Sequence, residues 1–496
     1  MPPAAGCRPP LHKEKEAIAA SDVAAPKASL GADCINNLAF STCHPAALRL
    51  IMVDVEPPAK DGRPWLRTDW ECGRIFAEKY GPYLETKRAT YVTMPLDAER
   101  ALAEVTNELQ KRFLEASAYV LEGGLGDAAA TMFGIPSFLW PRVQASWRRS
   151  GRDGSDLLVA RYDVTLTAQG PKCYEYNCDS ASCLFECAVT QDAYAQAVGA
   201  DAGRSAGHDV HDRLVETWRR LGIVGPLHIM CDDVDVEERY HAQYMKAAAE
   251  EAGIACRLVV GDPALALAWA ADGSGDVQDA EGCPVRTVWK TWSWRTAVTQ
   301  LQVARQQDRN GEVGVASCRA PPSLADVLFH PRIQTFEPLW TLVPSSKAIL
   351  PILWRLFPHH PCLLKADFCI TDRLHRSGYA IKPINGRGGA DVQLVSGRRK
   401  QELEEQEQEA GAASDEKTQH KVKLRGSVVY QELCPLPRYG PMRVQLSPWV
   451  VGGSYAGTVL RFDEKDVLDL DSPVCPLRVV EGEGDSRRGS RVIDES

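Results

Sequence analysis

The residues best suited to chemistry lie between Arg161 and Cys183, in the run RYDVTLTAQGPKCYEYNCDSASC. Two alternating stretches flank a glycine-containing turn, a pattern that predicts a β-hairpin. With Ala168-Gln169-Gly170 as a three-residue loop, Asp163 falls opposite Glu175 and Arg161 opposite Asn177, and Asp179 continues the same face. The other face carries Tyr162, Val164, Leu166, Tyr174 and Tyr176, which suit a core. A slip of one residue would break this pairing. Opposed carboxylates repel, and a divalent cation offsets the repulsion; Asp, Glu and Asn oxygens, completed by phosphate oxygens, are the shell that Mg²⁺ prefers. Arg161 beside them suits a carboxylate or a transferring phosphoryl group. The next run has helical spacing from about Ser182, with Ser180 and Ser182 as cap candidates and free N–H groups for an anion. An exposed polar sheet face with an Arg–Asp bridge and an ordinary serine cap fits these residues equally well.

Other constellations are weaker on their own. GYAIKPINGRGGADVQLV sets Lys382 in an apolar strand, followed by the loop Gly386-Arg387-Gly388-Gly389 and a second strand. The Gly-Lys-Ser/Thr ending of a P-loop is missing, yet such a hairpin can lie over a triphosphate with N–H groups and Arg387 facing it. By spacing alone, a tight turn with Lys382 reaching solvent is slightly favoured. CDDVDVEERYHAQYM leaves a strand for a helix, where open α/β sheets place ligands. Glu237 and Glu238 in its first turn either stabilise the helix dipole or form a carboxylate pair for a cationic amine. Lys347 in PSSKAILPILW stands near a helix start, where a cation hints at an anionic neighbour. VWKTWSWRT reads as core packing with Thr291 satisfied internally, and Arg461 as an ordinary exposed arginine at a strand end. His241 and the pair His359-His360 have no metal spacing and read as structural.

The elements that position these groups belong to an α/β region followed by an α+β module. A long amphipathic helix starts at Leu96; PLHIMC and IACRLVV are strands around a helix that stops at Gly253. GYAIKPI, ADVQLV, SVVYQEL and WVVGGSYAGTVLRF are later strands with few helices between them, which predicts antiparallel pairing. The charged stretch at 399–425 has no apolar face, and residues 1–60 and 481–496 are expected to form a disordered arm and tail. The 496 residues are 44% apolar and 25% charged with net charge −9, enough for a sizeable core and unlike a nucleic-acid-binding surface. No apolar run approaches the ~20 residues of a membrane span. Sixteen cysteines without any C-x-x-C pair, after a start that lacks a signal-peptide core, are expected to be reduced thiols in a cytoplasmic protein.

Together, YEYNCDSASC, EERYHAQYM, VWKTW, FEPLWT, KAILPILW, LFPHH, YAIKPINGRGG and VGGSYAGTVLR resemble, in order, the synthetase part of glutathionylspermidine synthase and trypanothione synthetase, from about residue 60 to about 480. The resemblance implies an ATP-grasp-type ligase preceded by an α/β pre-ATP-grasp region, spanning 331–480 and 61–330. It implies that ATP and Mg²⁺ drive the joining of the glycine carboxylate of glutathione to spermidine through an acyl phosphate. The family's metal-binding positions fall on Asp163, Glu175 and Asn177, and its arginines near the reacting carboxylate on Arg161 and Arg461. Ser180, Ser182, Glu238 and Thr291 match glutathione contacts, and Glu237 the residue facing the polyamine. Lys347 and Lys382 match nucleotide lysines, Arg387 with Gly388 and Gly389 the mobile loop, and Gln431, Glu432 and Leu433 the adenine site.

Departures accompany the resemblance. The family often carries an N-terminal cysteine amidase domain, which the first 60 residues do not resemble, so no amidase activity is expected. Pro473 stands where an acid for the polyamine is usual, with Asp471 as a substitute, and Arg295 stands where Glu is usual. The 399–425 insertion is longer than expected. These bear on amine identity rather than on the ATP and metal site. Addition of a second glutathione, giving trypanothione, is the sibling outcome. A catalytically silent binder of nucleotide or glutathione, acting as a regulatory partner, is the other class; a homodimer is left open.

Overall fold

The computed structural model describes residues 43–53, 66, 69–84, 89–200, 202–310, 320–396 and 427–481. The 399–425 insertion, the tail beyond 481 and residues 1–42 of the expected arm lie outside the described residues. Within the stretch expected to be disordered, Arg49–Val53 instead pairs antiparallel with the strand Ala89–Pro95. Helix α1 spans Glu71–Leu84 and helix α2 spans Leu96–Leu121. In α2, Leu102, Val105, Leu109, Phe113, Ala116 and Val120 recur three or four residues apart and are all buried, so one continuous stripe faces the core.

The hairpin consists of β1, Val159–Thr167, and β2, Gly170–Asn177. Its loop is shorter than the sequence suggested, because Thr167 pairs with Gly170 and only Ala168 and Gln169 connect the strands. A bulge then inserts Tyr174, so Val164 pairs with Cys173 while Asp163 still meets Glu175 and Arg161 still meets Asn177. The two departures cancel at the charged end. They also move Tyr174, whose side chain lines the cleft described below instead of joining the core. Tyr162 and Tyr176 do face the core, with ring centroids 4.4 Å apart. Both hydroxyls donate to Gln110 Oε1 of α2, at 2.9 and 2.8 Å, which satisfies two buried phenols with one acceptor. At the start of β1, the buried Glu337 carboxylate accepts from the Leu158 and Val159 amides at 2.8 and 3.2 Å.

Next come β3, Leu227–Cys231; α3, Val236–Glu251; β4, Cys256–Val260; and β5, Thr287–Lys290. With Gln334–Phe336 they give a four-stranded parallel sheet in the order 334–336, β5, β3, β4. Asp235 caps α3 by accepting from the Glu237 amide at 3.0 Å, and Gly253, with φ 90°, follows its end. The expected antiparallel module contains β6, Tyr379–Pro383; β7, Gln393–Val395; and β8, Val428–Glu432, with Ala366–Asp367 at its far edge.

The last hairpin, β9 at Met442–Val451 and β10 at Ser454–Asp463, returns to the first. Strand β9 pairs antiparallel with β1, setting Trp449 against Arg161 and Leu446 against Val164, and a six-stranded sheet results. Strand β1 is therefore flanked on both sides and buried throughout Val159–Leu166. Every cysteine among the described residues is a free thiol, and no helix among them is long and apolar enough to cross a membrane.

Candidate active site

The polar face of the first hairpin opens into a cleft of about 1210 Å³, room for more than one small-molecule ligand. On its floor Arg161 grips Asp163 with two donors, Nε to Oδ1 at 3.0 Å and Nη2 to Oδ2 at 3.4 Å. The Asn177 amide lies between the two carboxylates, 3.4 Å from Asp163 Oδ2 and 3.5 Å from Glu175 Oε1. Lys347 reaches Glu175 Oε2 at 2.9 Å, the anionic neighbour that its position near a helix start called for. Asp179 leaves this face: it turns away to the buried Lys290, at 2.7 Å, and to the Trp294 amide, at 2.8 Å.

Lysines and the glycine loop close one end. Lys347 Nζ also donates to the Gly386 carbonyl at 2.7 Å, and Lys382 donates to the Tyr174 carbonyl at 3.3 Å. Lys382, Arg387, Gly388, Gly389, Gln431, Glu432 and Leu433 line the cleft; Lys347 is reached through Glu175. Lys382 is buried, so the snorkelling alternative does not hold. Toward the other end, Arg161 Nη1 donates to the Ser182 carbonyl at 2.7 Å and its Oγ at 3.1 Å. Arg387 bridges from the loop to the Ser180 carbonyl at 2.8 Å. Glu237, Glu238 and Thr291 line this end, and Thr291 Oγ1 accepts from the Asp232 amide at 3.2 Å.

Several local expectations change. Ser180 and Ser182 are not caps: Ser180 and Cys183 are left-handed, with φ 51° and 71°, and helical backbone begins only at Leu184. That path turns both serines into the cleft, where Ser180 Oγ is buried without a partner. Arg461 is buried, donating from Nη2 to the Asp469 and Ser472 carbonyls, and its Nε has no partner. Arg295 is occupied with the Phe133 and Gly134 carbonyls, each at 2.8 Å, and is absent from the cleft lining. Asp471 and Pro473 both line the cleft. Two contributors are not legible in the sequence: Ser447, which donates to Asp163 Oδ1 at 3.1 Å, and Glu186, a buried carboxylate in the cleft wall. The lone hydroxyl in the apolar run of β9 is the only signal for Ser447.

Charge and burial oppose each other here. Burial pushes the Glu175 carboxyl up, but the Lys347 and Lys382 ammonium groups overturn it and hold the pKa down to about 2. Burial draws Lys382 down to about 8, against the raising influence of Glu175. Between this value and the ordinary 10.5 the unfolded chain binds more protons at Lys382, so its contribution makes stability rise with pH across that window. A phosphate-facing role loses its charge in the same window. With Lys382 in the nucleotide role that the resemblance implies, ATP affinity measured by calorimetry is expected to fall about tenfold from pH 7 to 9, and Lys382→Arg to flatten the dependence.

Comparison with known proteins adds to this geometry. Residues 63–480 match the family described as glutathionylspermidine synthase preATP-grasp. The chain belongs to this family. It is 36% identical over 421 residues to the bifunctional glutathionylspermidine synthetase/amidase of Escherichia coli strain K12, covering 85% of this chain and 64% of that protein. It is 32% identical over 438 residues to the trypanothione synthetase of Crithidia fasciculata, covering 85% and 62%. Against the glutathionylspermidine synthase of the same organism it is 29% identical over 476 residues, covering 84% and 64%. The family member described here thus spans a little under two thirds of each of these relatives.

Proposed function

We propose that this chain is an ATP-dependent carbon–nitrogen ligase of ATP-grasp type that joins the glycine carboxylate of glutathione to spermidine. The observation that carries the reading is the gathering of Asp163, Glu175 and Asn177 between the lysines Lys347 and Lys382 on one side and the arginine Arg161 on the other. This order suits a nucleotide at the lysine end and a carboxylate at the arginine end.

The residues fit Mg²⁺. Two carboxylates and an amide converge within hydrogen-bond reach of one point, and a half-turn of the Asn177 amide offers its oxygen there. When bound, Mg²⁺ would neutralise phosphate charge during transfer. Lys347 and Lys382 then hold the nucleotide phosphates, and Gln431, Glu432 and Leu433 border the base. Arg161 and Arg461 bind the glycine carboxylate and later the oxyanion formed when the amine attacks the acyl phosphate. Ser180, Ser182, Glu238 and Thr291 hold the rest of glutathione, and Glu237 faces the amine.

The 386–389 loop excludes water from the acyl phosphate. A side chain at Gly389, with φ 70°, would come 2.4 Å from the Leu468 carbonyl, so the loop seats only with glycine there. Gly389→Ala is expected to lower conjugate formation about tenfold or more and to raise ADP release without conjugate. Coupled ADP and mass measurements check this.

The reading is tested by incubating the protein with ATP, Mg²⁺, glutathione and spermidine and following ADP and conjugate mass. ADP release that requires both co-substrates, with one glutathione per spermidine, supports it. A bis-glutathionyl product selects the trypanothione outcome. No ADP under any combination selects a silent binder.

A further inference from the structure

Two residues at the proposed glutathione end of the cleft each follow a buried charge: Asp179 precedes Ser180, and Lys290 precedes Thr291. Ser180 and Thr291 line the cleft, whereas Asp179 and Lys290 are absent from its lining. The two charges meet behind the wall. Lys290 Nζ donates to Asp179 Oδ1 at 2.7 Å, across 111 residues of chain, and the two side chains are 0% and 5% exposed. The ammonium also donates to the Trp292 carbonyl, and Asp179 Oδ2 accepts from the Trp294 amide, both at 2.8 Å. Trp294 Nε1 in turn donates to the Glu337 carbonyl at 2.8 Å, in the residue whose side chain holds the start of β1. Burial pushes the Glu337 carboxyl well up, which leaves Asp179 as the main counter-charge of Lys290.

A buried ion pair adds little net stability over apolar residues of the same size, because desolvation offsets the attraction. It does fix geometry, and here it joins segments that differ in their own support. Thr291 follows β5, and its amide donates to the Met230 carbonyl of β3 at 3.0 Å, so the parallel sheet holds it. Ser180 lies in no strand or helix, and its backbone is left-handed with φ 51°. A residue other than glycine stays in that conformation only where its surroundings hold it. Asp179 tethers this turn to the sheet through Lys290, and Arg387 reaches the Ser180 carbonyl from the cleft side.

We propose, on the ligase reading above, that Asp179 and Lys290 are positioning residues for glutathione. Their ion pair ties the 178–183 turn to the end of β5 and so sets where Ser180 stands relative to Thr291. Neither residue touches the substrate; both act through the residue that follows them.

Glutathione affinity measured by calorimetry on the full chain tests this. Asp179→Asn keeps the shape and one acceptor but removes the charge, and the double variant Asp179→Leu with Lys290→Met removes both charges at similar volume. Each is expected to weaken glutathione binding about tenfold, the effect of misaligning one hydrogen bond, with ATP affinity unchanged. The double variant should melt close to wild type, since no buried charge is left unpaired. In a Ser180→Ala, Thr291→Ala background, Asp179→Asn should cost only about twofold, because the groups it positions are gone. Wild-type glutathione affinity in either variant, or the full tenfold loss in that background, overturns the inference alone. Failure of both variants to fold assigns the pair to stability and overturns it as well. A wild type that binds glutathione but makes no conjugate overturns the ligase reading instead, and the affinity comparison still decides the role of the pair.

Discussion

Glu175→Gln is expected to lower conjugate formation about 10²- to 10³-fold, comparable to removing one preorganised charge partner in a transition state. Glutamine keeps the shape, and its one carbonyl oxygen can still accept from Lys347, but it removes the negative charge between two lysines. In the proposed function that charge belongs to the Mg²⁺ set, so raising the Mg²⁺ concentration should recover part of the activity. The fold is expected to lose stability as well, because the buried ammonium groups of Lys347 and Lys382 lose their shared counter-charge, although Lys347 retains the Gly386 carbonyl. Steady-state ADP release at several Mg²⁺ concentrations, with a thermal melt alongside, checks both halves. Near-wild-type turnover would remove Glu175 from the metal set.

Arg161→Leu carries the second large effect, and here the fold is involved. Arg161 and Asp163 are both buried and joined by two hydrogen bonds. Removing the guanidinium leaves an uncompensated carboxylate, at a cost of about 3–5 kcal/mol. Ser182 loses its contacts as well, so the 178–183 turn is expected to loosen. Chemical denaturation of Arg161→Leu, Asp163→Leu and the double variant tests this, and the double variant should cost less than the sum of the two. Additive costs would mean that the pair is not coupled. Activity should be lost in all three, since the same pair stands at the junction of the proposed nucleotide and carboxylate ends.

The charged hairpin face was legible because strand periodicity is strict: alternate residues share a face whatever lies around them. Its register at Asp163 and Glu175 survived only because a shorter loop and the Tyr174 bulge compensate each other. The bulge itself left no mark in residue types. That Lys347 has an anionic neighbour could be read from the cost of a cation near a helix start, but that the neighbour is Glu175 could not. Arg461 could not, since its burial depends on the 469–472 segment folding back over it. Nor could Ser447, which meets Asp163 across 284 residues of chain, or the six-stranded sheet that unites the two hairpins. Glu186 lies in a run that reads as an ordinary helix. Its neighbour is the first turn of α3, a contact between segments that no local pattern encodes.

The central claim is that this cleft activates a carboxylate by phosphoryl transfer before an amine displaces the phosphate. Glutathione carrying ¹⁸O in both oxygens of its glycine carboxylate, incubated with ATP, Mg²⁺ and spermidine, tests it most directly. Mass analysis should find one ¹⁸O in the inorganic phosphate released and one retained in the amide. Conjugate formed with unlabelled phosphate would contradict the account.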